Sequence, residues 1–179
     1  MRAFLAIEMP DDIAADLRRL QADLPLRRPV ARDNLHLTLV FLGDQPEARL
    51  AGLHDLLSGL GAPGVAIDFT GLDMFGGNRP RQVFATVRPD PGLVALQARL
   101  TRVAHSSGIA PERRRFVPHV TLGRDKPAGP DLARLRQAMA GLSGWRAGGF
   151  VARSVTLFQS TLAPAGARHA PLANYPLTG

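Results

Sequence analysis

The sequence predicts an α+β fold of two pseudo-symmetric lobes, each an antiparallel sheet with helices on its outer face, around a central cleft. Three observations predict it. A phrase is written twice, HLTL at residues 36–39 and HVTL at 119–122, with the histidines 83 residues apart. Each copy sits in the same series of strand, helix, basic loop, His-bearing strand, helix and strand. At an offset of 80, Phe4 matches Phe84, Ile7 matches Val87, Ile13 matches Leu93, Arg19 matches Arg99 and Leu20 matches Leu100. A period this long, occurring twice, is a duplication within one domain rather than a solenoid. The expected domain is the whole chain, 1–179, with the lobe junction near 73–82.

The elements follow in order. Arg2 to Met9 has the apolar run of a buried strand. Pro10 and Asp11 then open a helix on Ile13, Leu17 and Leu20. A basic, proline-containing loop covers residues 25–34, and Leu35 to Leu42 reads as a strand ended by Gly43. Residues 46–60 carry leucines at helical spacing. Val65 to Leu72 is a strand, and MFGGNRP at 74–80 is a loop by its Gly, Asn and Pro. The second copy begins with a strand at Gln82 to Val87, a PDPG turn and a helix on Leu93, Leu96, Leu100 and Val103. A basic loop at 111–115 leads to a strand around His119 to Gly123. Asp131 to Leu142 reads as a helix, Phe150 to Gln159 as a strand, and the rest as a Pro- and Ala-rich tail ending near Leu177.

Apolar residues make up 45% of the 179, enough for a core of moderate size. No apolar run reaches the ~20 residues of a membrane span, so no membrane association is expected. The opening MRAFLAIEMPDD meets Glu8 too soon to read as a signal peptide. Cysteine is absent, which excludes disulfides, cysteine nucleophiles and thiolate metal sites, and a cytoplasmic location is expected. The net charge is +7, and Lys126 is the sole lysine beside 21 arginines. That bias reflects genome composition as well as function, so placement says more than total. Arg27, Arg28 and Arg32 precede the first motif, and Arg113, Arg114, Arg115 and Arg124 flank the second. Positive charge at both motifs favours a phosphate-bearing ligand over merely solvated loops.

Alternate residues of a strand share a face. His36 and Thr38 therefore point one way and Leu35, Leu37, Leu39 and Phe41 the other, with His119 and Thr121 likewise set against Val120 and Leu122. A two-fold relation brings two imidazoles and two hydroxyls together with arginines at the rim. Such a set suits phosphodiester chemistry: a neutral histidine takes a proton from water while a protonated one gives a proton to the departing oxygen. Threonine hydroxyls hydrogen-bond the non-bridging oxygens where charge builds. A single histidine on a strand is more often structural, but packing asks for Leu or Val, not for His and Thr written twice. Zinc is disfavoured because neither motif has a second His or a carboxylate at chelating spacing, and no metal or other cofactor is expected. His54, His105 and His169 have no partner pattern and read as structural or solvated.

These residues carry a resemblance. HLTL and HVTL, with the flanks MRAFLAIEMP, NLHLTLVFLG, MFGGNRPRQVF and FVPHVTLGR, resemble the paired His-x-Thr-x signatures of the two-histidine phosphoesterases. They resemble most the RNA 2',3'-cyclic phosphodiesterases, also called 2'-5' RNA ligases, from residue 1 to about 160. The resemblance implies hydrolysis of an RNA terminal 2',3'-cyclic phosphate to a 2'-phosphate without a metal, with 2'-5' ligation as the reverse reaction. It implies His36 as proton donor and His119 as proton acceptor, a choice that sequence symmetry does not make, and Thr38 and Thr121 as phosphate contacts. Arg124 is a further phosphate candidate, which requires a bend near Gly123 because strict alternation turns it away from His119. Arg115 and Arg32 are candidate substrate contacts. Phe116 and Phe75 are candidate base-stacking rings that also suit the core. The expected partner is an RNA or nucleotide ending in a 2',3'-cyclic phosphate, with no obligate protein partner. The competing readings are a non-catalytic RNA-binding module, a two-histidine enzyme for another cyclic phosphate or a 2'-5' oligonucleotide, and a metal-dependent phosphoesterase.

Overall fold

The structure is a computed structural model and describes residues 1–112, 114–163 and 166–179. Arg113, read above as part of the basic loop, lies outside the described residues. The described residues form strands β1 (Arg2–Glu8), β2 (His36–Asp44), β3 (Val65–Ile67), β4 (Phe69–Phe75), β5 (Gln82–Val87), β6 (His119–Gly123), β7 (Phe150–Ala152), β8 (Ser154–Ala163) and β9 (Gly166–Pro176). Helices are α1 (Asp11–Asp23), α2 (Glu47–Ser58), α3 (Pro91–Ser106) and α4 (Gly129–Gly141). The α+β class and the antiparallel pairing are as the sequence predicts.

Seven strands form one antiparallel sheet in the order β4-β5-β6-β2-β1-β8-β9, and β3 pairs with β7 in a second sheet. The two halves meet where Leu37 faces Val120 across β2 and β6. The order is symmetric about that seam for six strands: β2 answers β6, β1 answers β5, and β8 answers β4. Each half lends its outer strand to the other, since β4 pairs with β5 and β8 with β1. The segments read as single strands at 65–72 and 150–159 are each broken in two, at Asp68 and Arg153, one piece serving each sheet.

Leu5, Ile7, Leu37, Leu39, Val120 and Leu122 project from one face of the sheet into a continuous core with Leu17, Leu20, Leu93 and Leu100 of the helices. The opposite face carries a small apolar cluster, Phe4, Ala6 and Phe158, and the buried ring of Phe84. Helix α3 starts where the PDPG turn predicts, with the Asp90 side chain accepting the Gly92 N–H at 2.8 Å.

Two expectations are corrected here. The tail is not irregular: it pairs with β8 along the whole of β9. Its Pro and Ala content hid a strand that sits at the sheet edge, where a missing N–H is tolerated. The offset of 80 is also two residues out for the first strand of each half. Ala6 faces Thr38, and Phe84 faces Thr121, so Ala6 and Phe84 are the equivalents. A shift of two preserves the in-out pattern, which is why the pattern could not detect it.

Candidate active site

The seam register sets the site. In an antiparallel pair with Leu37 opposite Val120, His36 faces Thr121 and Thr38 faces His119. All four side chains share the open face, half-buried, while their neighbours Leu37, Leu39, Val120 and Leu122 enter the core. The pseudo-two-fold axis runs through the seam, so each histidine sees the other's threonine.

Both imidazoles are fixed in the same way. His36 Nδ1 lies 2.7 Å from the Asn34 carbonyl, and His119 Nδ1 lies 2.7 Å from the Val117 carbonyl. A carbonyl only accepts, so Nδ1 carries the proton and Nε2 is left for chemistry. Aromatic rings flank each imidazole. Phe4 lies 4.9 Å from His36 and is stacked on Phe158, while Phe84 lies 5.0 Å from His119 and is stacked on Phe75. Phe75 also meets His119 edge-on at 4.9 Å. Gln82 donates from Nε2 to Thr121 Oγ1 at 2.6 Å and to His119 Nε2 at 3.2 Å.

Burial pushes both histidines toward the neutral form. His36 is lowered to about 4, chiefly by desolvation and then by His169, with smaller effects from Arg124 and His119 against the opposing Asn34 hydrogen bond. His119 is lowered by desolvation and by Arg124. Arg124 is itself pulled down by burial and by Arg2. Its charge also disfavours the imidazolium forms of His36, His119 and His169.

How Arg124 reaches the site follows from a β-bulge. Val83 faces Gly123 and Phe84 faces Thr121, so Leu122 is an extra residue and the alternation resets after it. The bend expected near Gly123 is this bulge. The first half has the same device, with Leu5 facing Val40, Ala6 facing Thr38 and Leu39 extra. That bulge overturns the parity reading of Phe41, which faces Phe4 on the open side and is 55% exposed. A bulge leaves ladder groups to be satisfied elsewhere. Gln21 of α1 donates to the Leu122 carbonyl at 2.7 Å, and Gln97 of α3 donates to the Leu39 carbonyl at 3.4 Å. Each half's helix thus braces the other half's bulge.

Arg32 and Arg115, the other predicted arginine contacts, are surface residues. Arg32 is paired with Asp11 at 2.6 Å on the surface. Arg115 is exposed and shows no side-chain bond among the described residues. Phe116 packs half-buried against the core, one of the two roles it was expected to suit. Phe75 belongs to the site as the ring stacked at 4.1 Å on Phe84.

Sequence reading missed His169. It sits on β9 in edge-to-face contact with His36 at 5.2 Å and Phe4 at 4.9 Å. Its Nδ1 is buried with no hydrogen-bond partner among the described residues, and burial lowers its pKa. With β9 reading as a tail, the sequence offers no signal for it. His54 is structural as expected, its Nδ1 3.0 Å from the hydroxyl of buried Tyr175. Burial pushes that phenol up to about 12. Among the described residues no three His, Cys, Asp or Glu side chains converge to hold a metal ion, and no helix is long and apolar enough to cross a membrane.

Comparison with known proteins gives one consistent result. The profile of the 2'-5' RNA ligase superfamily matches residues 9–162. The RNA 2',3'-cyclic phosphodiesterase of Escherichia coli is 31% identical over 99% of this chain and 97% of its own length. That of Thermus thermophilus is 32% identical over 100% of this chain and 91% of its own. Among solved structures, E. coli LigT in apo form superposes with a TM-score of 0.79 at 28% identity, covering 99% of this chain and 98% of that one. The complex of E. coli LigT with 3'-AMP gives 0.79 at 29% identity over the same shares.

Proposed function

The chain belongs to the 2'-5' RNA ligase superfamily, and from that premise we propose that it is an RNA 2',3'-cyclic phosphodiesterase needing no metal. It opens the terminal cyclic phosphate of an RNA or nucleotide to a 2'-phosphate, and residues 1–179 act as one bilobal phosphoesterase domain. The observation that carries the reading is the pair of pseudo-symmetric imidazoles on one open face, each with Nδ1 held by a carbonyl and Nε2 left for chemistry.

In-line displacement at phosphorus places the attacking and leaving oxygens on opposite sides. Two histidines related by a two-fold axis match that requirement. Water attacks phosphorus and loses its proton to His119 Nε2; the bond from phosphorus to the 3' oxygen breaks; His36 Nε2 protonates that oxygen. Thr38, Thr121 and Arg124 hold the non-bridging oxygens as charge builds there. The reverse reaction, with an RNA 5' hydroxyl in place of water, is 2'-5' ligation, and water in excess makes hydrolysis the dominant direction.

The test is turnover of a short RNA ending in a 2',3'-cyclic phosphate, with EDTA throughout and His36→Ala and His119→Ala variants alongside. Conversion to a 2'-phosphate with both variants nearly inactive is expected. Salt-sensitive binding without turnover, unchanged in both variants, would instead make the chain an RNA-binding module.

A further inference from the structure

A cavity of ≈460 Å³ lies at the end of β6, between the loop after α1, the loop after β6 and the start of α4. Its charged lining is Arg27, Arg28, Arg124, Lys126 and Arg134 against Asp125 and Asp131. The two carboxylates are already engaged. Asp131 pairs with Arg27 at 2.5 Å. Asp125 is buried, its Oδ1 accepting the Arg28 backbone N–H at 2.8 Å. Its Oδ2 is closed off from solvent, close to Leu26 and Gly123, and has no partner among the described residues. Asp125 therefore ties the two loops together and does not face a ligand. Arg28, Arg124, Lys126 and Arg134 have no carboxylate within ion-pair distance among the described residues.

Four cations without a carboxylate partner line one concavity, and their summed charge favours an anion there. Arg124 lines this cavity, and the bulge at Leu122 turns it to the face that carries His36 and His119, so the cavity adjoins the catalytic face. We propose that the cavity is a subsite for the RNA backbone, taking the phosphodiester on the 5' side of the terminal nucleotide while the cyclic phosphate lies at the histidines. The proposal rests on the cyclic phosphodiesterase reading and extends it: the subsite makes the protein favour RNA ends over free cyclic nucleotides. Because it binds by charge and not by base edges, the preference is for strand length rather than sequence.

The experiment compares a four-nucleotide RNA ending in a 2',3'-cyclic phosphate with the mononucleotide 2',3'-cyclic AMP. Wild type is measured beside Arg28→Gln/Arg134→Gln and, separately, Lys126→Gln, each checked for an unchanged melting temperature. The expected result is a fall of about tenfold in the ratio of kcat/KM for RNA to that for the mononucleotide, carried by KM. The dependence of log KM on log salt for RNA weakens by about 0.7 for each phosphate that the variant no longer neutralises. An unchanged ratio, or an equal fall for both substrates, overturns the subsite and leaves the phosphodiesterase reading standing. Absence of turnover of either substrate by wild type overturns that reading and the subsite with it. If hydrolysis of the RNA holds and only its joining to a 5'-hydroxyl strand weakens, the cavity holds the incoming strand and the 5'-side assignment is wrong.

Discussion

Burial holds the proposed proton donor in its neutral form at pH 7. His36 falls from 6.5 to about 4. At pH 7 a group with that value is protonated in about one molecule in a thousand. The shift corresponds to about 3 kcal/mol against the imidazolium. A phosphate anion about 4 Å away, at an effective dielectric near 20, returns about 4 kcal/mol. Binding the anion therefore offsets the burial penalty and restores His36 to its ordinary range or slightly above. The perturbation is addition of inorganic phosphate or a 2'-nucleotide. The assay is NMR titration of the imidazole Cε1–H signals, with His36 assigned through His36→Gln. Calorimetry at pH 5.5 in two buffers of different ionisation enthalpy should then show uptake of close to one proton on binding. Between the two values His36 is neutral when free and charged when bound, which fixes the sign. A free-enzyme value at or above 6.5 would refute the burial reasoning. A value still near 4 with phosphate bound would refute His36 as the acid.

Three further outcomes follow from the same geometry. Gln21→Met leaves the Val30 and Leu122 carbonyls without their side-chain donor; it should cost about 1–3 kcal/mol in denaturant unfolding and lower kcat by loosening the bulge that aims Arg124. Phe84→Ala removes a ring that is 1% exposed and lies against His119; a loss of about 3–5 kcal/mol is expected, and one below 1 would show that the ring bears little load. His169→Gln removes a neighbour that holds His36 down; the free His36 imidazole should titrate at higher pH by NMR, and an unmoved titration in a variant of normal melting temperature would make His169 structural.

The part of the site legible in sequence was the part governed by strict alternation. His36, Thr38, His119 and Thr121 share a face because two-residue steps are the geometry of a strand, and nothing interrupts the strands between them. Legibility stopped at Leu39 and Leu122. A bulge reverses parity without any sequence requirement strong enough to read, so alternation turns Phe41 inward where the fold turns it outward, and Arg124 reaches the site only through a bend that alternation does not supply. The braces for those bulges, Gln21 and Gln97, sit on helices more than 50 residues away in sequence. Arg32 is drawn off by Asp11, while Arg134 of α4, which no motif singles out, lines a cavity with Arg124.

Duplication explains why two histidines face one another; it does not explain how one gives a proton and the other takes it. That difference has to come from departures from the repeat, and the described residues show two. The six-strand core is symmetric about the seam, but β9 has no counterpart beyond β4. This unmatched strand sets His169 against His36, and among the described residues no third histidine lies against His119. On the other side, the register that matches Ala6 with Phe84 also matches Phe4 with Gln82. Where His36 meets a phenyl ring, His119 meets an amide that donates to its Nε2. A donor aimed at Nε2 keeps that nitrogen unprotonated and ready to accept, and water or a substrate hydroxyl can take the amide's place. The stronger push on His36 makes it the stronger acid of the two, with the bound phosphate supplying its proton occupancy. Symmetry thus sets the two histidines against each other, and the two departures from it support the proposed direction, in which His119 accepts and His36 donates.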